Sequence, residues 1–132
     1  MMADFMADDV IWTHWRWGGR ELSGRDRVMQ RYFGPLVESF PDLDFRVFDA
    51  IIGEHTLVLR GLFKATFAKD WGEVPAHGRT VTWTAHDIYE FRNGKIVHAW
   101  YANDTLTVAR QLGVISDEPR FIGHNPSEDS SR

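Results

Sequence analysis

The sequence has no cysteine and no excess of basic residues. The missing cysteine excludes disulfides, a thiol nucleophile and thiolate metal ligands, and it is typical of proteins in a reducing cytoplasm. Lysine and arginine number 15 against 19 aspartate and glutamate residues, which gives a formal net charge of -4. Such a surface offers no basic field, so neither nucleic acid nor a membrane is an expected partner.

Long apolar runs are missing as well. The first nine residues have neither the positive start nor the apolar run of a signal peptide, and no later stretch is long enough to span a bilayer. We therefore expect a cytoplasmic protein.

Motifs for metals and nucleotides are also missing. The six histidines include no pair at the helical spacing of a metal site, and Gly18-Gly19 is not followed by a phosphate-binding pattern. No nucleophile-elbow motif surrounds a serine. We expect neither a metal nor a cofactor.

What the chain does have is enough apolar material for one core. Its 132 residues are 43% apolar and 14% aromatic, which fits a single domain with room for one pocket. Residues 116–132 contain two prolines, four serines and scattered charge. We expect a domain over 1–115 and a polar C-terminal tail over 116–132.

Two periodic patterns divide this domain into elements. Alternation over Val10–Trp17 predicts a strand, and apolar residues at helical spacing over 24–40 predict a helix that is kinked or broken at Gly34-Pro35. Further strands are predicted over 45–52, 56–67 and 80–101, the last folded back at Asn93-Gly94, and a short helix over 105–112. This order predicts an α+β fold, with helices laid on one face of a curved sheet that encloses a small-molecule pocket.

Several short motifs lie along these elements: Phe40-Pro41-Asp42-Leu43, Pro75, Gly78-Arg79, Asp87-Ile88-Tyr89, Asn93-Gly94-Lys95-Ile96, Trp100, Asp104 and Gln111-Leu112-Gly113. In this order and spacing, from about Asp9 to Val114, the sequence resembles the SnoaL-like polyketide cyclases of the nuclear transport factor 2-like superfamily. The resemblance implies their cone-shaped, cystatin-like fold, with a curved antiparallel sheet and helices on its concave face. Two features differ from the usual pattern: only Met2–Met6 remains of the N-terminal helix, and Phe63 stands where many members have histidine.

The resemblance also implies a chemistry. Family members act without a cofactor on bulky, mostly apolar carbonyl compounds, and an acidic residue matching Asp104 is the acid/base of an intramolecular aldol closure. In an apolar pocket such a carboxylate would have a raised pKa, as acid/base work near neutral pH requires. The structural alternative is that Asp104 caps the helix that follows it. Relatives on this fold also isomerise, dehydrate or open epoxides, so the fold does not choose the reaction.

Two histidines are the candidate helpers. His14 and His86 each interrupt a strand built otherwise of tryptophan, valine, isoleucine and threonine, where an imidazole could hold a carbonyl oxygen or relay a proton. The alternative is a core histidine bonded to the backbone.

The register of the hairpin at Asn93-Gly94 decides which of these groups meet. A two-residue turn would place His86 opposite Tyr101, whereas a type I turn with a bulge would place His86 opposite Trp100 and on the face of Asp104. Family hairpins ending in Gly-Lys-Ile favour the bulged form.

Aromatic residues are the expected pocket lining. Flat rings suit a small hydrophobic or aromatic ligand, although they also fill cores and dimer interfaces. We assign the lining to Trp12, Tyr32, Phe63, Trp83 and Trp100. We also expect a homodimer, because the outer face of the sheet needs cover. The competing hypothesis is a module on the same fold that binds a ligand passively.

Overall fold

The computed structural model describes residues 2–14 and 20–115. Within these ranges, no helix is both long enough and apolar enough to cross a membrane. Six strands form one curved sheet in the order β2-β1-β6-β5-β4-β3. The strands are β1 (Met6–His14), β2 (Glu21–Ser23), β3 (Asp44–Ile52), β4 (Thr56–Thr66), β5 (Thr80–Arg92) and β6 (Lys95–Asn103).

The sheet is antiparallel except for one central pair. Strands β1 and β6 run parallel, while the other four neighbouring pairs are antiparallel. The first strand therefore lies beside the last one and runs in the same direction, so the C-terminal ends of β1 and β6 lie next to each other. His14 and Asn103 are the last residues of these two strands.

The first strand begins earlier than the sequence predicted. A single 3-10 turn, Met2–Phe5, precedes β1, and Met6 already pairs with Ile96 of β6. The short N-terminal helical segment is thus present, but β1 begins four residues before Val10. The predicted end of this strand, at Trp17, lies outside the described residues.

The predicted helix is present and is irregular ahead of Gly34-Pro35. It consists of α1 (Arg25–Val28), a π-helical segment (Met29–Phe33) and α2 (Gly34–Ser39). Proline lacks an N–H and its ring crowds the carbonyl four residues earlier, here that of Arg31. A widened turn before Pro35 relieves that clash without breaking the helix.

This helix covers the inner face of the sheet. Phe33 packs edge-on against Trp12 of β1, with ring centroids 5.2 Å apart, and Tyr32 lies 5.3 Å from the ring of His14. Val28 and Leu36 join the same buried cluster. The structure confirms the predicted α+β cone, with helices on the concave face of a curved sheet.

The β5–β6 hairpin has the two-residue turn instead of the type I turn with a bulge that the resemblance favoured. Asn93 and Gly94 have φ of 51° and 73°, as in a two-residue type I′ turn, and Arg92 pairs with Lys95. The register then shifts by one residue, because Phe91 pairs with Ile96 but Glu90 pairs with His98. His86 consequently lies opposite Ala102, so both predicted partners of His86, Tyr101 and Trp100, were wrong.

The last described element is the helix α3 (Thr105–Gln111), as predicted. The Gln111 side chain anchors it to β5, accepting a hydrogen bond from Thr82 N at 2.8 Å. A second link runs from the ring of His77, whose Nε2 lies 2.8 Å from the carbonyl oxygen of Gln111. The predicted C-terminal tail, 116–132, lies outside the described residues.

Candidate active site

One cavity of about 460 Å³ opens between the inner face of the sheet, the π-helical and α2 segments, and α3. Its wall is mostly apolar, with Trp83 from β5, Leu36 from α2, and Val108 and Leu112 from α3. The connection between β4 and β5 adds Trp71, whose ring packs edge-on against Phe40 at 5.4 Å. A volume of this size suits a small organic molecule of several rings.

Polar groups gather where β1 and β6 end. His14, Tyr32 and Asn103 line this end of the cavity, and Thr105 lies beside them. His14 is only 2% exposed, and its Nε2 lies 3.0 Å from Nδ2 of Asn103. The Asn103 contact fixes the orientation of the imidazole beside the open volume.

Asn103 has unused hydrogen-bonding capacity. Its Oδ1 is buried and has no hydrogen-bond partner among the described residues. An amide that holds His14 with one atom can therefore receive a donor from a ligand with the other. Sequence reasoning missed Asn103, because nothing in the pattern shows that β6 ends beside β1.

Behind the polar end lies a buried group of phenols and one acid. The hydroxyls of Tyr89 and Tyr101 are 2.7 Å apart, and Tyr101 packs edge-on against Tyr32 at 5.9 Å. Asp87 is fully buried beside them, and desolvation raises its pKa to about 7. The pKa values of both tyrosines are raised, first by desolvation, with Asp87 a smaller cause in each case.

Asp87 was not among the predicted site residues. A signal was nonetheless present, since aspartate is disfavoured within strands and Asp87 sits in the middle of the longest one. In the sequence it stands within Asp87-Ile88-Tyr89, one of the motifs that carry the family resemblance.

The predicted acid, Asp104, lies at the rim and points away from the cavity. It is exposed, and its side chain is the N-cap of α3: Oδ1 accepts from Thr107 N at 3.2 Å and Oδ2 from Thr107 Oγ1 at 2.6 Å. This is the capping alternative that the sequence left open. Its neighbours Asn103 and Thr105 line the cavity, whereas Asp104 does not.

His86 does not reach the cavity either. Side chains alternate along β5, and the buried set is Val81, Trp83, Ala85, Asp87 and Tyr89, so His86 is exposed on the outer face. Trp83 and His86 are three residues apart and cannot share a face of a regular strand. Placing both in the pocket was therefore wrong, and the larger apolar ring of Trp83 takes the inner face.

Of the five predicted lining residues, Tyr32 and Trp83 line the cavity. Phe63 stacks on Trp83 at 5.1 Å and supports it without being part of the wall. Trp12 is fully buried in the core against Phe33 and Tyr101. Trp100 lies on the outer face, stacked on His98 at 3.7 Å, because its neighbours Ala99 and Tyr101 point inward.

Ligands for a metal ion do not come together in the part of the chain that the structure describes. No three histidine, aspartate or glutamate side chains there are placed to hold a metal ion.

A cone-shaped α+β domain with an apolar cavity and a small polar end belongs to the class of folds that can hold a small organic molecule. Comparison with known families narrows this class. The family model of the SnoaL-like polyketide cyclases matches residues 1–112, and the chain belongs to this family. No curated protein gives a significant sequence match.

Solved structures show the same fold. AclR of Streptomyces galilaeus, a candidate hydroxylase, superposes with a TM-score of 0.77 at 22% identity, covering 97% of this chain and 78% of AclR. A candidate SnoaL-like polyketide cyclase from Jannaschia sp. CCS1 has a TM-score of 0.76 at 18% identity, covering 89% of this chain and 78% of its own. IdmH of Streptomyces antibioticus, a candidate polyketide cyclase, has a TM-score of 0.70 at 22% identity and 83% coverage of both chains.

Proposed function

We propose that this protein is a cofactor-independent acid/base enzyme that acts on a bulky, mostly apolar carbonyl compound, and that His14 is the group that moves the proton. The observation that carries the proposal is a buried imidazole, held by Asn103, at the polar end of an apolar cavity. Imidazole is the side chain best suited to accept and return a proton near neutral pH.

The cavity suggests how such a ligand lies. Its apolar rings would pack against Trp83, Trp71 and the inner side of α3, which directs the oxygenated end towards His14, Tyr32 and Asn103. A carbonyl oxygen there could accept from a donor, and a ligand hydroxyl could donate to Asn103 Oδ1.

The reaction follows from a base beside a carbonyl compound. Because the Asn103 amide N–H donates to Nε2, the neutral His14 ring carries its hydrogen on Nδ1 and has its lone pair on Nε2. Nε2 would exchange the Asn103 hydrogen bond for a proton from the carbon next to the carbonyl, so the C–H bond breaks and its electron pair becomes an enolate. That carbon can then attack a second carbonyl of the same molecule, which is the aldol closure of a polyketide cyclase, and His14 returns the proton to the new alkoxide. Returning the proton at another carbon would give an isomerase instead.

A matched pair of variants tests this assignment. Turnover would be measured on a panel of polycyclic ketones, enones and β-keto esters for the parent, His14→Gln and Asp104→Asn. Glutamine cannot exchange a proton at neutral pH, so we expect His14→Gln to lose roughly a hundredfold to ten-thousandfold in rate. Asparagine caps a helix about as well as aspartate, so we expect Asp104→Asn to stay within about threefold of the parent.

The reverse result, with Asp104→Asn inactive and His14→Gln active, would return the acid/base role to Asp104. Native mass spectrometry of the purified protein addresses the competing hypothesis of passive binding. A retained apolar ligand that neither variant nor parent ever converts would identify a binding module.

We further propose that the protein is a homodimer joined through the outer face of its sheet. One transverse row on that face, formed by paired residues of β6, β5, β4 and β3, consists of Trp100, Ile88, Val58 and Ile51. Ile88 is 39% and Ile51 is 66% exposed, which is a continuous apolar strip on the surface of the single chain. A second copy would cover it.

A further inference from the structure

Asp87 is a buried acid that the proposed reaction does not use. Its side chain is fully buried, and neither carboxylate oxygen has a hydrogen-bond partner among the described residues. Burying an ionised carboxylate without a partner is costly, so the environment favours its neutral form. Desolvation by itself raises the pKa of Asp87 to about 7, into the range where it exchanges protons under physiological conditions.

Sheet pairing places Asp87 in line with His14. His14 of β1 pairs with Tyr101 of β6, and Tyr101 pairs with Asp87 of β5. All three side chains are buried on the inner face, so they form one transverse row with Tyr101 in the middle. Two strand spacings separate the outer members, which is about 10 Å between their Cα atoms.

The groups around this row carry no opposing charge in the described structure. Asp87 is faced by the phenols of Tyr101 and Tyr89 and, from β4, by the paired Leu59, while Tyr32 of the helix packs against Tyr101. None of the ion pairs formed by the described residues includes Asp87. Between two ionisable groups in such an interior, the interaction is screened far less than on a surface.

Tyr101 lies between the two outer members of the row. Its hydroxyl bonds to that of Tyr89 at 2.7 Å, and neither phenol donates to Asp87, whose two oxygens have no hydrogen-bond partner among the described residues. Any coupling between His14 and Asp87 therefore acts through the poorly screened interior and not through a chain of hydrogen bonds.

We propose that Asp87 is a positioning residue for His14, and that the two form one coupled acid–base pair across Tyr101. This inference rests on the proposed function, in which His14 moves the proton. With Asp87 ionised and His14 neutral, the imidazole is a stronger base, because the carboxylate stabilises the imidazolium that forms when the ligand's C–H bond breaks. When the proton returns to the ligand, the pair regains its starting charge.

The experiment is an NMR titration of the full-length protein without a substrate. The His14 ring, assigned by comparison with His14→Gln, is followed with pH in the parent, in Asp87→Asn and in Glu90→Gln. Removing the Asp87 charge should lower the His14 titration midpoint by roughly one pH unit at the separation of the row. Glu90 lies on the same strand but on the outer face, so removing its charge should leave the midpoint unchanged.

Coupling is reciprocal, which supplies a second measurement. The carboxyl carbon of Asp87 should titrate at a higher pH in His14→Gln than in the parent, by the same amount that Asp87→Asn lowers His14. In the parent, the NMR signals of His14 and of Asp87 should both show two titration steps, with the same two midpoints. If Asp87→Asn does not fold, this comparison still decides the question in the other two proteins.

Independent, single-step titrations of His14 and Asp87 would overturn the coupling. Failure of the proposed function would look different, since it appears as unchanged turnover in His14→Gln whatever the titrations show. In the enzyme, Asp87→Asn should retain substrate binding, lose up to about tenfold in kcat near pH 7.5, and show its fall in rate on acidification about one pH unit lower than the parent does.

Discussion

At the scale of single residues, the chemistry of the site depends on which ionisable side chains are desolvated by burial. His14 and Asp87 are both buried, but His14 has Asn103 as a partner whereas the carboxylate of Asp87 has none in the described structure. Asp104 is exposed and bonded twice to Thr107. Identical carboxylates thus have different roles, because one is desolvated in the interior and the other closes a helix.

The burial of Asp87 predicts a pH dependence of stability. Its pKa is about 7 in the folded chain and close to 3.8 in the unfolded one. Between these values the folded state holds a proton that the unfolded state has released, so the free energy of unfolding falls as pH rises and levels off above about pH 7. The contribution of this one group to the fall is about 4 kcal/mol.

Urea unfolding at pH 4.5 and 7.5 checks this expectation. Asp87→Asn should remove most of the fall and should be more stable than the parent at pH 7.5. The matched control is Asp44→Asn, which changes an exposed aspartate and should preserve the parent's pH dependence. Parallel pH profiles for the parent and Asp87→Asn would show that Asp87 is not held neutral by burial.

At the scale of elements, α3 is both a wall of the cavity and the least firmly packed helix. Its residues Thr105 to Gln111 are all only half-buried, and side-chain hydrogen bonds hold its two ends. The N-terminal end is capped by Asp104 and the C-terminal end is bonded to Thr82 and His77. Few buried contacts and a few defined bonds are typical of an element that opens locally.

Gln111→Ala should therefore loosen α3 without unfolding the sheet. The variant loses two bonds to Thr82, one from its N–H and one to its carbonyl oxygen, and hydrogen bonds of this kind contribute about 1 kcal/mol each. We expect amides of α3 to exchange with solvent roughly thirtyfold faster by mass spectrometry, while amides of β5 other than that of Thr82 keep their protection. Arg110→Ala, on the same turn, is the control, and equal exchange in the two variants would mean that Gln111 does not anchor the helix.

At the scale of the whole molecule, the described residues leave one face of the sheet without cover. The inner face is filled by the helix and by the cavity, whereas the outer face presents the row of Trp100, Ile88, Val58 and Ile51. Apolar residues contiguous across four strands are more than a monomeric surface usually presents.

We expect a single charged substitution in this row to dissociate the proposed dimer. Ile88→Glu places a carboxylate in the centre of the row, and desolvating it would cost more than the surrounding contacts contribute. Light scattering should give about twice 15.3 kDa for the parent and 15.3 kDa for the variant. Ile52→Glu is the control, because Ile52 is 80% exposed and lies outside the row, and its dimer should persist. A parent that scatters as a monomer at micromolar concentration would contradict the proposal.

Much of the fold could be predicted because it depends on local patterns. Alternation gave the strands, helical spacing gave the helix over 25–39, and Gly34-Pro35 marked its irregularity. Asn93-Gly94 allowed the two-residue turn, since both residues tolerate the positive φ that it requires, but the resemblance favoured the bulged form and that expectation was wrong. Of the five aromatic residues assigned to the lining, only Tyr32 and Trp83 line the cavity, because ring size by itself does not tell which face of a strand a residue occupies.

The sequence by itself therefore determined the family, the apolar character of the pocket and the order of the elements, except for the short strand β2 (Glu21–Ser23), which no pattern predicted. Only the tertiary structure decided which polar groups face it, because a strand changes face at every residue and one bulge between Glu90 and Phe91 moves β6 by one position against β5. The parallel pairing of β1 with β6, which joins residues about ninety positions apart, brought His14 beside Asn103 and in line with Asp87. No local pattern encodes either choice, since both depend on how the whole sheet packs against its helix.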